Sequence, residues 1–283
     1  MADVVQALLD ASADPLAVDN KGHTPLHWLS TFPGAFDEPC RQAYTTLTHL
    51  GPAAITTQDK QGRTPLHLAL PTYSTRAQPS TFAITHLLSL GADPAHRDPL
   101  TGNTALHFLA PRLVGESAAA ATTASLFRSL VTTNTLDINA RNNQGETPAF
   151  TFAAAGWSGM RDPTHRVSHP TYALAHDTTH AKALDIFITL GADLKTLDSK
   201  RRTLLHVTAG RELPTGGADW DQREDIEGMF QRLIELGVDP RAEDEGLRTA
   251  VNVAIAQGLT GVVELFGEET GPEESGGTGG GLQ

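Results

Sequence analysis

Residues 19–27 read DNKGHTPLH, and this short stretch decides how the chain has to fold. Tetrapeptides similar to its last four residues recur at 64–67, 104–107, 147–150, 203–206 and 249–252. Recurrence of one pattern at intervals of this length is typical of repeat proteins, in which each unit buries its apolar face only by stacking on its neighbours. We therefore interpret the chain as a series of related units.

Each tetrapeptide predicts the start of a helix. It is preceded by a segment rich in Asp, Asn and Gly, residues that supply the backbone conformations of a tight turn. Its Thr stands at the N-cap position, where the hydroxyl can accept a backbone N–H that has no partner within the helix. In three of the six units the next residue is Pro, which fits the first helical position because the N–H it lacks would be unsatisfied there.

A second helix is predicted downstream in each unit, because apolar residues recur every three to four positions. The segments are LTHLG ending at Gly51, ITHLLSLGADP (84–94), LFRSLVTTNTLDIN (126–139), LDIFITLGADL (184–194) and MFQRLIELGVDP (229–240). Gly91, Gly191 and Gly237 stand where a left-handed residue would end the helix. The unit is thus a turn, a helix, a loop and a second helix.

The pattern D-x-x-G-x-T-P-L-H followed by L-L-x-x-G-A-D-P resembles the ankyrin repeat, and the resemblance extends from Val4 to Phe266. It implies an all-α solenoid of stacked helix-turn-helix units with hairpin-like tips. We expect a repeat domain over 1–267, with a partial first unit at 1–22 and units beginning near 24, 64, 104, 147, 203 and 249. Residues 268–283 are rich in Gly and Glu and are expected to be disordered.

The chain departs from the family in the length of its units. Successive threonines at 24, 64, 104, 147, 203 and 249 lie 40, 40, 43, 56 and 46 residues apart, whereas ankyrin units are about 33 residues long. The surplus is predicted to form enlarged loops between the two helices of a unit, because Pro and Gly concentrate there. These loops are 32–39, 71–79, 111–117, 156–179 and 210–221.

The resemblance also implies roles for the repeated Thr and His. The family's His forms hydrogen bonds around the loop connections and its Thr caps the helix, so His27, His67, His107 and His206 are expected to be structural. Phe150 and Asn252 replace this His in the fourth and sixth units, and Pro is absent from the third, fifth and sixth units. The turns of these units are predicted to be less firmly held.

Charge and composition exclude several classes of function. The net charge is −12, which repels nucleic acid and anionic membranes at long range. The single cysteine, Cys40, is predicted to be an inert thiol in a loop of a protein from a reducing compartment. The first ten residues lack the basic start of a secretory signal, and no apolar run is long enough to span a bilayer. An intracellular protein, cytoplasmic or nuclear, is expected.

The sequence carries none of the motifs that would indicate an enzyme. We find no GxxxxGK phosphate loop, no HExxH, no GxSxG and no paired CxxC. The one cluster that could bind a metal lies in the longest insertion and contains His165, His169, His176 and His180. Because zinc sites usually have tighter ligand spacing, this region is predicted to be a polar loop, with metal-dependent activity over 156–185 as the alternative. No cofactor is assigned.

The resemblance implies that the protein binds another protein through the concave strip formed by the tips and adjacent helices. The expected contact residues at the tips are Asn20, Lys21, His23, Lys60, Gln61, Arg63, Leu100, Thr101, Asn103, Asn142, Gln144, Glu146, Lys200, Arg201, Arg202, Glu245 and Arg248. Since the first, second and fifth tips are basic, an acidic segment of the partner is favoured. A solvated turn would carry the same Lys200-Arg201-Arg202 triplet, so that alternative stays open.

Two further expectations concern the context of the chain. Residues 4–15 (VVQALLDASADP) resemble the second helix of an incomplete unit, so the chain could be the substrate-recruiting part of a larger protein, such as a ubiquitin-ligase adaptor or a multidomain regulator. The same helix could instead be the polar cap that a solenoid needs at its end. We expect a monomer, because solenoids of this kind are commonly monomeric.

Overall fold

The computed structural model describes residues 2–31, 38–70, 81–113, 118–133, 136–155, 179–210, 220–259 and 261–262. Within these ranges the chain is helical and contains no strands. The helices are α1 (Ala2–Asp10), α2 (Pro25–Ser30), α3 (Glu38–Leu50), α4 (Pro65–Ala69), α5 (Thr81–Ser89), α6 (Ala105–Leu109), α7 (Ala118–Thr132), α8 (Pro148–Ala154), α9 (Thr179–Thr189), α10 (Leu204–Ala209), α11 (Trp220–Glu235) and α12 (Ala250–Ala256). Two 3-10 turns cover Pro52–Ile55 and Ala110–Arg112.

Short and long helices alternate along the chain from α2 onward. Every short helix (α2, α4, α6, α8, α10 and α12) begins directly after the Thr of a repeated tetrapeptide. The long helices α3, α5, α7, α9 and α11 are those predicted from the apolar periodicity. The predicted helical class and the predicted order of helices are confirmed for the described residues.

Helices of adjacent units pack on one another. The short helices contact each other in the pairs α2 with α4, α6 with α8, α8 with α10, and α10 with α12, and the long helices α5 with α7 and α9 with α11. Their buried apolar side chains form one continuous core. Phe187 of α9 contacts both Phe127 of α7 and Phe152 of α8, with ring centroids 5.4 and 5.2 Å apart. The contact with Phe127 joins consecutive units, and the contact with Phe152 lies within one unit. Burying one large apolar side chain contributes about 1.5–3 kcal/mol.

The segments that precede the short helices are closed turns, which we call tips 1 to 6: residues 19–23, 59–63, 98–103, 142–146, 198–202 and 244–248. In each tip the backbone N–H of the first residue donates to the carbonyl of the last, as in Asp19 to His23 at 3.1 Å. The chain reverses through a residue with positive φ, which is Gly in the first four tips. At Gly22 (φ 81°) an added Cβ would lie 2.9 Å from the backbone nitrogen of Lys60. Gly is required there both for its conformation and for its size.

Neighbouring tips are joined by main-chain hydrogen bonds. The second residue of one tip donates to a carbonyl of the preceding tip in four junctions: Lys60 to Lys21, Asn143 to Thr101, Ser199 to Gln144, and Glu245 to Lys200, at 2.8–3.0 Å. At tip 3 the corresponding residue is Pro99, which has no N–H to donate. Its ring instead lies where a side chain on Gly62 would be.

Three of the long helices end at a glycine in the predicted conformation. Gly91, Gly191 and Gly237 have φ of 93°, 79° and 82°, so the predicted left-handed helix ends are confirmed. Cys40 lies in α3 and is partly buried against the core, so its prediction as a loop residue was wrong. Most of the predicted enlarged loops, and the tail 268–283, lie outside the described residues. No helix within the described part of the chain is both long and apolar enough to cross a membrane.

Candidate protein-binding surface

The capping arrangement that begins each short helix positions the tips. In α2 the ring Nδ1 of His27 lies 3.1 Å from the backbone N–H of Thr24 and 2.8 Å from its hydroxyl. The other ring nitrogen, Nε2, lies 3.1 Å from the carbonyl of Arg63 in the next tip. Because Nδ1 accepts from a backbone N–H, the ring proton has to be on Nε2, where it donates to that carbonyl. One His thus caps its own helix and binds the following tip.

The same bonds recur at the other repeated histidines. His67, His107 and His206 each accept from the backbone N–H of their Thr at 3.1–3.2 Å. His107 and His206 also reach a carbonyl of the next tip, at 3.0 and 2.8 Å. The structural role predicted for these histidines is confirmed. Burial lowers the pKa of His27 and His67, and lowers that of His107 to about 4.

The two units without the His behave differently. Asn252 reproduces part of the arrangement, since its Oδ1 accepts from the backbone N–H of Thr249 at 3.0 Å. Phe150 cannot do so, and the hydroxyl of Thr147 is buried without a hydrogen-bond partner. The prediction of a less firmly held turn therefore fits the fourth unit better than the sixth.

Most of the predicted contact residues are exposed at the tips. Those with exposed side chains are Asn20, Lys21, Lys60, Gln61, Leu100, Thr101, Gln144, Lys200, Arg201, Glu245 and Arg248. Asn142 and Glu146 are half-buried. The tip-to-tip hydrogen bonds bring exposed residues from consecutive units next to each other.

Two predicted contact residues were wrong because the structure buries them. Asn103 is only 2% exposed, and its Oδ1 accepts from Nδ2 of Asn142 at 2.9 Å. His23 is buried with its Nε2 3.2 Å from Oδ2 of Asp59 in tip 2. Both residues stand just before the N-cap Thr, where the side chain turns towards the neighbouring tip. They join units and are not available to a partner.

The last residue of a tip is often an Arg that binds the Asp beginning the same tip. Arg63 lies 2.8 Å from Asp59, and Arg202 lies 2.6 Å from Asp198 and 3.2 Å from Glu146. Although burial alone would raise the pKa of Asp59, the hydrogen bonds from Arg63 lower it overall. Arg63 and Arg202 are half-buried, so a partner would have to compete with these ion pairs for them.

Arg248 forms the same pair but remains accessible. It lies 2.8 Å from Asp244, yet its side chain is 64% exposed. Burial would raise the pKa of Asp244, but hydrogen bonds from Arg248 lower it overall. The spacing of four residues between Asp and Arg is visible in the sequence and could have identified these pairs.

The charges left available at the tips are mostly basic. Lys21, Lys60, Lys200 and Arg201 are exposed and form no ion pair within the described ranges. Lys200 and Arg201 are adjacent on tip 5, where Arg201 takes the positive φ of 59° that Gly has in the first four tips. A protein of net charge −12 thus presents unpaired cations along one row of turns.

An exposed aromatic residue on this side of the molecule was missed by sequence reasoning. Trp28, on the short helix α2, is 49% exposed, and its indole N–H donates to Oδ2 of Asp19 in tip 1 at 3.1 Å. A residue directly after the capping His would be expected to face the core, because Phe108, which follows His107, is only 8% exposed.

A metal-binding site is not formed by the described residues, which contain no cluster of three or more His, Cys, Asp or Glu that could hold an ion. His165, His169 and His176 lie outside the described residues, and so does the side chain of His180. The alternative of metal-dependent activity over 156–185 therefore stays an untested prediction.

Two comparisons with known proteins did not assign the chain to a family. A scan against protein-family models gave no match. A search of curated proteins gave no significant match either.

Proposed function

We propose that the chain is an ankyrin-type repeat protein that binds a partner protein through the row of tips. The repeated capping unit, the packing of successive short helices in four pairs and the hydrogen bonds between tips support this interpretation. An array of this kind presents a long surface on a rigid support, and such surfaces suit the binding of extended partners.

The observation that carries the proposal is the difference between neighbouring basic residues at tip 5. Arg202 is held by Asp198 and Glu146, which is a structural use of its charge. Lys200 and Arg201 are exposed beside it without such a partner. Exposed charges of one sign steer an oppositely charged partner and raise the rate of association. We therefore propose a partner with an acidic segment.

Affinity purification with mass spectrometry tests the proposal. The bait variant combines Lys200→Gln with Arg201→Asn, because Asn tolerates the left-handed backbone at 201 better than most residues. Arg202 is left intact, since removing it would leave the buried carboxylate of Asp198 without its ion-pair partner. The matched control carries Arg128→Gln and Lys195→Gln, which change the net charge equally at exposed positions on α7 and after α9.

Circular dichroism and a thermal melt first establish that all three proteins are folded. We expect partners that are recovered with the wild type and the control but lost with the tip variant. Recovery of the same proteins with all three baits, or of none above background, would overturn the proposal.

A further inference from the structure

Trp28 is the one large aromatic side chain that the short helices expose within the described residues. The residue at the same place in the other short helices is half-buried at Leu68 and Val253 and buried at Phe108, Thr151 and Val207. An indole that is half exposed leaves apolar surface in water, which is unfavourable unless a partner covers it. Val18, which precedes Asp19 in the sequence, is also exposed, at 59%.

The indole is held in one orientation. Its N–H donates to Oδ2 of Asp19, and its ring meets the edge of the His23 ring with centroids 5.3 Å apart at 87°. His23 is in turn fixed against Asp59 of tip 2. A rigid Trp loses little conformational entropy on binding, and residues of this kind dominate the energy of protein interfaces.

The carboxylates around Trp28 are already engaged, whereas the lysines are not. Oδ1 of Asp19 accepts from the backbone N–H of Lys21 and of His23, and Asp59 is bound by Arg63 and His23. The backbones of Lys21 and Lys60 meet through a hydrogen bond of 2.8 Å, so these two exposed lysines stand on adjacent tips. Asp19 keeps its negative charge, but tips 1 and 2 together carry the cations Lys21, Lys60 and Arg63 against the anions Asp19 and Asp59. This excess of positive charge favours an anionic ligand.

We propose that Trp28, Lys21 and Lys60 form the docking site for a short segment of the partner in which Asp or Glu residues flank an apolar or aromatic side chain. This docking site rests on the proposed function, and it places the binding of the partner at tips 1 and 2. The apolar side chain packs on the indole and the acidic residues bind the two lysines. A peptide suits the site better than nucleic acid, because the chain as a whole repels phosphate backbones.

Selection of phage-displayed random 16-residue peptides against the full chain tests this docking site. Enriched peptides are synthesised with a fluorescent label, and their affinities are measured by anisotropy for a set of variants. Trp28→Ala removes the indole. Trp28→Leu is a second variant without the indole, and it is expected to fold because Leu occupies the same place in α4. Lys21→Gln with Lys60→Gln removes the two charges, and Lys200→Gln with Arg201→Asn removes those of tip 5. Arg128→Gln with Lys195→Gln, which changes the net charge equally at exposed positions outside the tips, is the matched control.

We expect enriched peptides with an apolar residue between acidic ones. Trp28→Ala should weaken their binding about 30-fold or more, as for a residue at the centre of an interface. Loss of both lysines should weaken it several-fold and reduce its dependence on salt, while the Arg128→Gln, Lys195→Gln control should bind as the wild type does.

The alternative outcomes separate this inference from the proposed function. Peptides whose binding depends on Lys200 and Arg201 but not on Trp28 would overturn the docking site and support binding by the tips. Enrichment of peptides without acidic residues would also overturn the docking site. So would tighter binding of a labelled random RNA than of the enriched peptides in the same anisotropy assay. If no peptide is enriched and affinity purification recovers no partner, both proposals fail.

Discussion

Replacing His107 with Asn should change how the stability of the protein responds to acid. His107 is fully buried, accepts from the backbone N–H of Thr104 through Nδ1, and donates from Nε2 to the carbonyl of Glu146. Only the neutral ring can do both. Burial lowers its pKa from 6.5 to about 4, so protonation opposes the folded state.

The size of the effect follows from the two pKa values. Because the pKa of the folded state is the lower one, the stabilisation is complete above pH 6.5 and is lost as the pH falls towards 4. The difference between a pKa of 6.5 and one of about 4 corresponds to about 3 kcal/mol in the free energy of unfolding. About 2 kcal/mol of this stabilisation is lost by pH 5. Asn252 already fills the equivalent position in the sixth unit, so an Asn can accept the same backbone N–H.

Urea unfolding followed by circular dichroism between pH 7.5 and 4.5 measures this difference. At neutral pH we expect His107→Asn to be less stable by about 1–2 kcal/mol, because the shorter side chain loses the bond to Glu146. Near pH 5 the variant should become the more stable of the two proteins, because only the wild type loses stability through protonation of His107. His27 and His67 titrate in both proteins and cancel. A constant difference in free energy across this range, or a His107 NMR resonance that titrates near pH 6.5, would refute the reasoning.

Three further substitutions test the geometry of the units by urea unfolding. Gly22→Ala should destabilise the protein by more than Gly191→Ala. The change at Gly191 costs about 1 kcal/mol for its left-handed backbone alone, because an added methyl group there meets no atom within 4 Å. Equal losses of stability would contradict the packing of tip 1 on tip 2. Thr147→Val should be neutral or stabilising by about 1 kcal/mol, since it removes a buried hydroxyl without a partner, and a loss of stability would show that this hydroxyl is bonded. Leu247→Gly should stabilise by about 0.5–1 kcal/mol through relief of its φ of 57°, whereas a destabilised variant would mean that the exposed side chain contributes contacts.

Local features of the fold could be predicted because their causes are local. A Thr three residues before a His defines a capped helix start, and a Gly after an apolar helix defines its end, so α2 and the ends at Gly91 and Gly191 were predictable. The tips were predictable for the same reason, since their closing bonds join residues four or five positions apart.

The contact residues were predicted less well because exposure depends on neighbouring units. His23 and Asn103 are polar residues in turns, which usually face solvent, yet here each binds the adjacent tip. Trp28 follows the capping His, a position that is buried or half-buried in later units. Neither outcome can be derived from spacing within one unit, because both depend on how far the next unit covers the side chain.

Hydrogen–deuterium exchange of the chain, alone and with the partner recovered by affinity purification, tests most directly whether the tips bind that partner. We expect the partner to slow exchange at 20–21, 60–61 and 199–201, which lie at the exposed ends of the tips. Amides in α5 and α9 should exchange at the same rate with and without it. Slower exchange confined to these long helices, with the tips unchanged, would contradict the proposed binding surface.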